Sequence, residues 1–270
     1  MPAVTFALTI AGYLGSAVLF YLALVRGSSS TRLLTLARRV LYGTLAIHLT
    51  DILVKSFLRR ECPVLSAAFA MSLAGLGAAV AFLVWARQTR LLSLGAIVAP
   101  IALGMVVASE ALLNREVVLW VPGWFLGLHV LMNLFAVALL VLGAAASIAY
   151  LVQVGRLKSK RPASALSAFP GLSALESFIQ RSLGLGLGAM TLGVVSGAVF
   201  AERMAHGGVE LARVSLAYLC WLTVAGLLLG QRLFGWNHRK LAWAVVVTAA
   251  LSISVVVLYG LSSGVVGGHA

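Results

Sequence analysis

His129 stands a turn inside the apolar stretch WFLGLHVLMNLFAVALLVLGAAASIAYLV, Trp124 to Val152, with Arg156, Lys158, Lys160 and Arg161 directly behind it. A neutral imidazole offers a metal one ring nitrogen with a lone pair and leaves one N–H for a neighbour to orient. Facing lipid at that depth it would be costly, so the ring is expected to look into the protein. His269 follows the last apolar run and a Gly-rich tail. If crossings alternate, His129 and His269 share one membrane level on helices free to be neighbours. Two imidazoles so placed can supply the axial ligands of a haem. The competing readings are a packing histidine bonded to a backbone carbonyl for His129 and a frayed chain end for His269. Trp124 falls at the same interface and is grouped with the cofactor-binding residues. The haem-attachment sequence CxxCH is absent, so a haem here would be b-type and held without covalent bonds.

His48, Asp51 and Lys55 form a second candidate constellation. Positions i, i+3 and i+7 share one helix face, so a polar stripe runs from mid-membrane towards one surface. His48 is a further candidate metal ligand, for a second haem or a relay, and Asp51 could hold its ring in one tautomer. A structural ion pair explains the same stripe. Glu110 is a candidate counter-charge or proton-path residue. His206 and His238 lie in loops and read as solvated. No HExxH, phosphate-binding loop, nucleophile elbow or Ser-His-Asp order is present.

The elements that must position these residues are membrane helices. The chain is 61% hydrophobic and 10% charged, with a mean hydropathy of +1.05, outside the range of soluble domains. Apolar runs separated by polar breaks predict an all-α polytopic bundle of eight transmembrane helices in one domain spanning 1–270. The expected spans are 3–25, 36–57, 64–86, 91–113, 124–152, 182–201, 212–230 and 241–263, each near the roughly 20 residues a bilayer requires. The first run lacks a basic lead and a cleavage site and reads as a retained helix. Pro100 should kink the fourth helix. Ser173 to Glu176 reads as a capping box opening a short amphipathic surface helix before the sixth span. Cys62 and Cys220 do not make a disulfide framework.

The net charge of +13 would suggest nucleic acid in a soluble chain, but here the basic residues occupy short gaps between spans, so no nucleic-acid partner is expected. Fourteen of the twenty Lys and Arg fall on the side of the odd-numbered gaps and six on the other. That bias predicts odd gaps in the cytoplasm and both termini outside, in a bacterial-type inner membrane. Trp120 and Trp124 then fall at the outer interface, and Trp85, Trp236 and Trp243 at the inner one, where indole rings favour the headgroup level.

Beyond composition, the run AIHLTDILVKSFLRRECPVLSAAFAMSLAGLGAAVAFLVWARQTRLLSLGAIVAPIAL resembles the front half of the HemX-like and CcsA-type cytochrome c assembly membrane proteins. GLHVLMNLFAVALLVLGAAASIAYLVQVGRLKSKR resembles their outer Leu-His-Val helix ending in a Tyr-Leu…basic run. LSALESF with LGLGAMTLGVVSGAVFAE, and GQRLFGWNHRKLAWAVVV, fit the helices that follow. The resemblance covers nearly the whole chain as a pattern of short words. It implies that His129 and His269 flank a haem on the extracytoplasmic side, and it matches His48 to the helix-two histidine of the HemX-like branch.

Two departures refine this. The synthases of this group carry a tryptophan-rich Trp-Asp loop, where this chain has AERMAHGGVELARV, and a histidine before the arginine of helix seven, where it has Gly230 and Gln231. Both weigh against haem transfer to an apocytochrome, and so against an enzyme, and favour the HemX-like side. The expected role is haem binding or trafficking in cytochrome c assembly, with an assembly partner or a haem-biosynthesis enzyme, or membrane-bound control of haem biosynthesis. Electron transfer between a quinone and an outer acceptor is the alternative, and a haem-free transporter ranks last.

Overall fold

The computed structural model describes residues 2–26, 31–60, 67–86, 91–111, 123–159, 170–204 and 208–262. They form eight helices: α1 (Pro2–Arg26), α2 (Thr31–Arg59), α3 (Ala67–Trp85), α4 (Gly95–Ala111, entered through a 3-10 turn at Leu91–Leu94), α5 (Gly123–Lys158), α6 (Leu172–Met204), α7 (Gly208–Phe234) and α8 (His238–Ser262). Among the described residues there is no strand. Six of the helices, α1, α2, α4, α5, α6 and α7, are long and apolar enough to cross a membrane, and α3 carries a shorter apolar stretch, Met71–Trp85. The protein is an all-helical, multi-pass membrane protein.

One difference from the expected boundaries has a physical reason. Ser173 and Glu176 do not open a separate surface helix. They lie inside the first turns of α6, whose initial bonds run from Ala174 N–H and Leu175 N–H to the Gly171 carbonyl. No Gly or Pro interrupts the chain before the apolar run, so the helix continues unbroken to Met204. In α4, Pro100 lies inside the helix, as expected.

The helices sort into two groups joined along α3 and α5. In the first, α1 packs on α2 and α4, and α3 on α4. In the second, α5 packs on α6 and α8, with α7 on the outside against α6 and α8. α5 sits at the centre because its middle turns are apolar on every side: Ala136, Leu139, Leu142, Ala145, Ala146 and Ala149 are all buried. Outward-facing positions stay large and apolar, as at Leu14, Leu53, Phe57, Leu192 and Leu233, which suits lipid as the surrounding solvent. Polar side chains turn inwards instead. Thr9, Ser16, Thr44 and Ser182 each return a hydroxyl proton to the carbonyl four residues earlier, which satisfies a buried polar group without a partner helix.

Candidate functional site

The register of α5 and α6 sets the surroundings of His129. The two run antiparallel: Gly186 on α6 lies over Leu139 of α5, and further along Gly193 meets Asn133 and Gly197 meets His129. Gly193 and Gly197 are four residues apart, like Asn133 and His129, so two small positions face two polar ones. A Cβ at Gly197 would stand 2.8 Å from His129 Cε1, and one at Gly193 2.5 Å from Asn133 Oδ1. Only glycine allows this approach, the small-xxx-small packing of membrane helices.

Within that seam His129 Nδ1 lies 3.1 Å from Ser196 Oγ. The Ser196 hydroxyl donates its single proton to the Leu192 carbonyl at 2.7 Å, with the Gly193 carbonyl at 3.0 Å. Its oxygen can therefore accept from the ring, whose donor and acceptor nitrogens are set by the tautomer. Asn133 Nδ2 donates to the His129 carbonyl at 2.8 Å and is within hydrogen-bond distance of the ring, 3.3 Å from Nε2 and 3.5 Å from Nδ1. A half-buried imidazole held by a hydroxyl at Nδ1 and flanked by an amide is an oriented histidine, the setting in which metal-binding imidazoles are found.

α8 reaches the same level. Gly143 of α5 lies beside Val245 of α8, and Ile253 packs on the cluster containing Ala138 and Val141, so these helices are antiparallel as well. Stepping 14 residues back from Gly143 gives His129 and 14 forward from Val245 gives Tyr259, the same rise of about 21 Å on each helix. The last turn of α8 thus ends close to the level of His129. His269 itself and the Trp124 side chain lie outside the described residues, as do His206 and Cys62; Cys220 is a buried free thiol.

His48 is fully buried at the junction of α1, α2 and α3, and both ring nitrogens are engaged. The Tyr13 hydroxyl lies 2.9 Å from Nδ1, and the Ser72 hydroxyl 2.8 Å from Nε2. The Tyr13 ring stands edge-on to the imidazole, centroids 5.5 Å apart. A neutral ring donates from one nitrogen and accepts at the other, and two hydroxyls satisfy either tautomer. A metal at His48 would have to displace one of them.

Asp51 is not the residue that holds this ring. Its Oδ1 accepts from Thr5 Oγ1 at 2.6 Å and its Oδ2 pairs with Lys55 Nζ at 3.0 Å. Lys55 Nζ also donates to Glu110 Oε2 at 2.7 Å and lies 4.4 Å from the centroid of the Phe6 ring. Lys55 is thus the hub, tying α2 to α4, with Asp51 returning the link to α1. Glu110 is the counter-charge of this stripe, although 41% of its side chain is exposed.

Tyr13, Ser72, Thr5 and Ser196 escape sequence reasoning because each stands on a different element from its partner and is an ordinary residue in an apolar run. Asn133, one turn from His129 in an otherwise apolar stretch, is the one with a readable signal. His238 is exposed over 41% of its side chain, with its Nε2 3.8 Å from Glu176 Oε2.

No curated protein and no solved structure matches the chain. The family model described as "Cytochrome C assembly protein" matches residues 33–267, from the start of α2 to beyond the end of α8. The chain therefore belongs to the cytochrome c assembly protein family, as a multi-pass membrane protein with a role in cytochrome c biogenesis.

Proposed function

We propose that the protein is a HemX-like haem-binding member of this family, with His129, His269 and Trp124 as the residues that would hold a b-type haem non-covalently. The observation that supports the reading is the placing of His129, a half-buried imidazole in the α5–α6 seam that the Ser196 hydroxyl orients from 3.1 Å at Nδ1. The arrival of α8 near the same level supports His269, seven residues beyond Ser262, since extended chain covers about 3.3 Å per residue. Bound there, haem would supply an iron centre for handing on or sensing. The protein's part is to fix the imidazole and exclude lipid from it. His48 and Asp51 then serve the polar network of the front helices, with His48 as a relay or anchor rather than a second iron ligand.

In this reading the chain is one domain of eight crossings, both termini outside a bacterial-type inner membrane, with a cytochrome c assembly protein or a haem-biosynthesis enzyme as partner. The experiment is an absorption spectrum of purified protein with haem-to-protein stoichiometry. A Soret band near one haem per chain, weakened in His129→Ala, is expected. Colourless protein after haem supplementation overturns the proposal.

A further inference from the structure

At the other end of the bundle, α6, α7 and the α7–α8 turn enclose an open cleft of about 400 Å³. Gly184, on its wall, and Gly197, beside His129, are 13 residues apart on α6, about 20 Å along the axis. The cleft is therefore separate from the histidine site. Its polar lining is Gln180 from α6, Gln231 and Arg232 from α7, and His238 from α8.

The turn that closes the cleft is well built. Gly235 takes the left-handed conformation with φ of 57°, which reverses the chain after α7. Trp236 then folds back over Gly230, where an added Cβ would stand 3.1 Å from the indole. Asn237 caps α8, accepting from Arg239 N–H at 3.0 Å through its side chain and from Lys240 and Leu241 N–H through its carbonyl. The positive end of a 25-residue helix is thereby fixed beside the cleft. Arg239 and Lys240 are exposed in its first turn.

We infer that this cleft holds the phosphate of an anionic glycerophospholipid. Arg232 is the cation available to it: among the described residues it has no carboxylate partner, whereas Glu176 lies 3.8 Å from His238. The Gln180 and Gln231 amides add N–H donors for phosphate oxygens. A lipid fits better than a free anion because apolar surface continues from the cleft: Leu185, Leu229 and Leu233, next to its lining residues, are all more than half exposed. Basic pockets between helices at the headgroup level recognise anionic lipids in this way. A zwitterionic choline headgroup would bring its cation against Arg232, Arg239 and Lys240.

Native mass spectrometry of the full chain released from membranes of equimolar phosphatidylglycerol and phosphatidylcholine tests this. One retained phosphatidylglycerol, preferred by about tenfold, is expected. Arg232→Gln should remove the preference and Gln180→Leu weaken it, while Arg39→Gln, on an exposed position of α2, leaves it intact. Absence of preference, or preference unchanged in Arg232→Gln, overturns the inference. Displacement of the lipid by millimolar inorganic phosphate assigns a free anion to the cleft and overturns the lipid.

Discussion

The Ser196 hydroxyl, which donates to the Leu192 carbonyl at 2.7 Å, faces His129 Nδ1 at 3.1 Å, and this pair ties the imidazole of α5 to α6. A serine that donates backwards along its own helix can still accept from across the seam. The ring's orientation is thus set from α6, although the histidine belongs to α5.

Ser196→Ala should lower haem retention by about 10- to 100-fold, the usual cost of losing the group that orients a metal-bound histidine. Ser196→Thr, which keeps the hydroxyl, should retain it. Competitive transfer to apomyoglobin measures both. Retention unchanged in Ser196→Ala would mean that the contact does not orient the ligand.

Gly197→Ala should displace the His129 ring, because the new methyl would stand 2.8 Å from Cε1. Overpacking of this kind costs about 1–3 kcal/mol, so the melting temperature and the Soret absorbance should fall together. Gly188→Ala is the control on the same helix, since a Cβ there meets nothing within 4 Å. Equal behaviour of the two variants would refute the seam as drawn.

Lys55→Ala leaves the Asp51 carboxylate, 3% exposed, without its cation. Removing one partner of a buried pair costs about 3–5 kcal/mol, and thermal or denaturant unfolding in detergent should record a loss of that size. Combining it with Asp51→Asn should recover most of the loss. A double variant as unstable as the single one would show that Lys55 matters through packing rather than charge.

His48→Phe strips the partners from the Tyr13 and Ser72 hydroxyls in a fully buried site. Each orphaned polar group costs about 1–3 kcal/mol, so stability should drop while the haem-to-protein ratio stays at that of the wild type. A ratio that fell from two to one would instead make His48 a second iron ligand.

The helical class and the membrane setting were legible in the chain, because a bilayer demands apolar runs of a set length and each run satisfies its own backbone. His129 and the His48–Asp51–Lys55 stripe were legible for a related reason: an ionisable residue in an apolar run stands out without any knowledge of its neighbours. What each touches was not. Asp51 looked like the partner of His48 because i and i+3 share a face, yet Tyr13 and Ser72 reach the ring from α1 and α3 while Lys55 and Thr5 draw the carboxylate away. Ser196 and the glycines beside it carry no local sign of their role, since a hydroxyl and two missing side chains acquire meaning only in the antiparallel register that sets Gly197 against His129. Spacing along one helix fixes which residues share a face; only the packing of another helix decides which of them is met, because hydrogen bonds act over about 3 Å and that distance is set between elements, not within them.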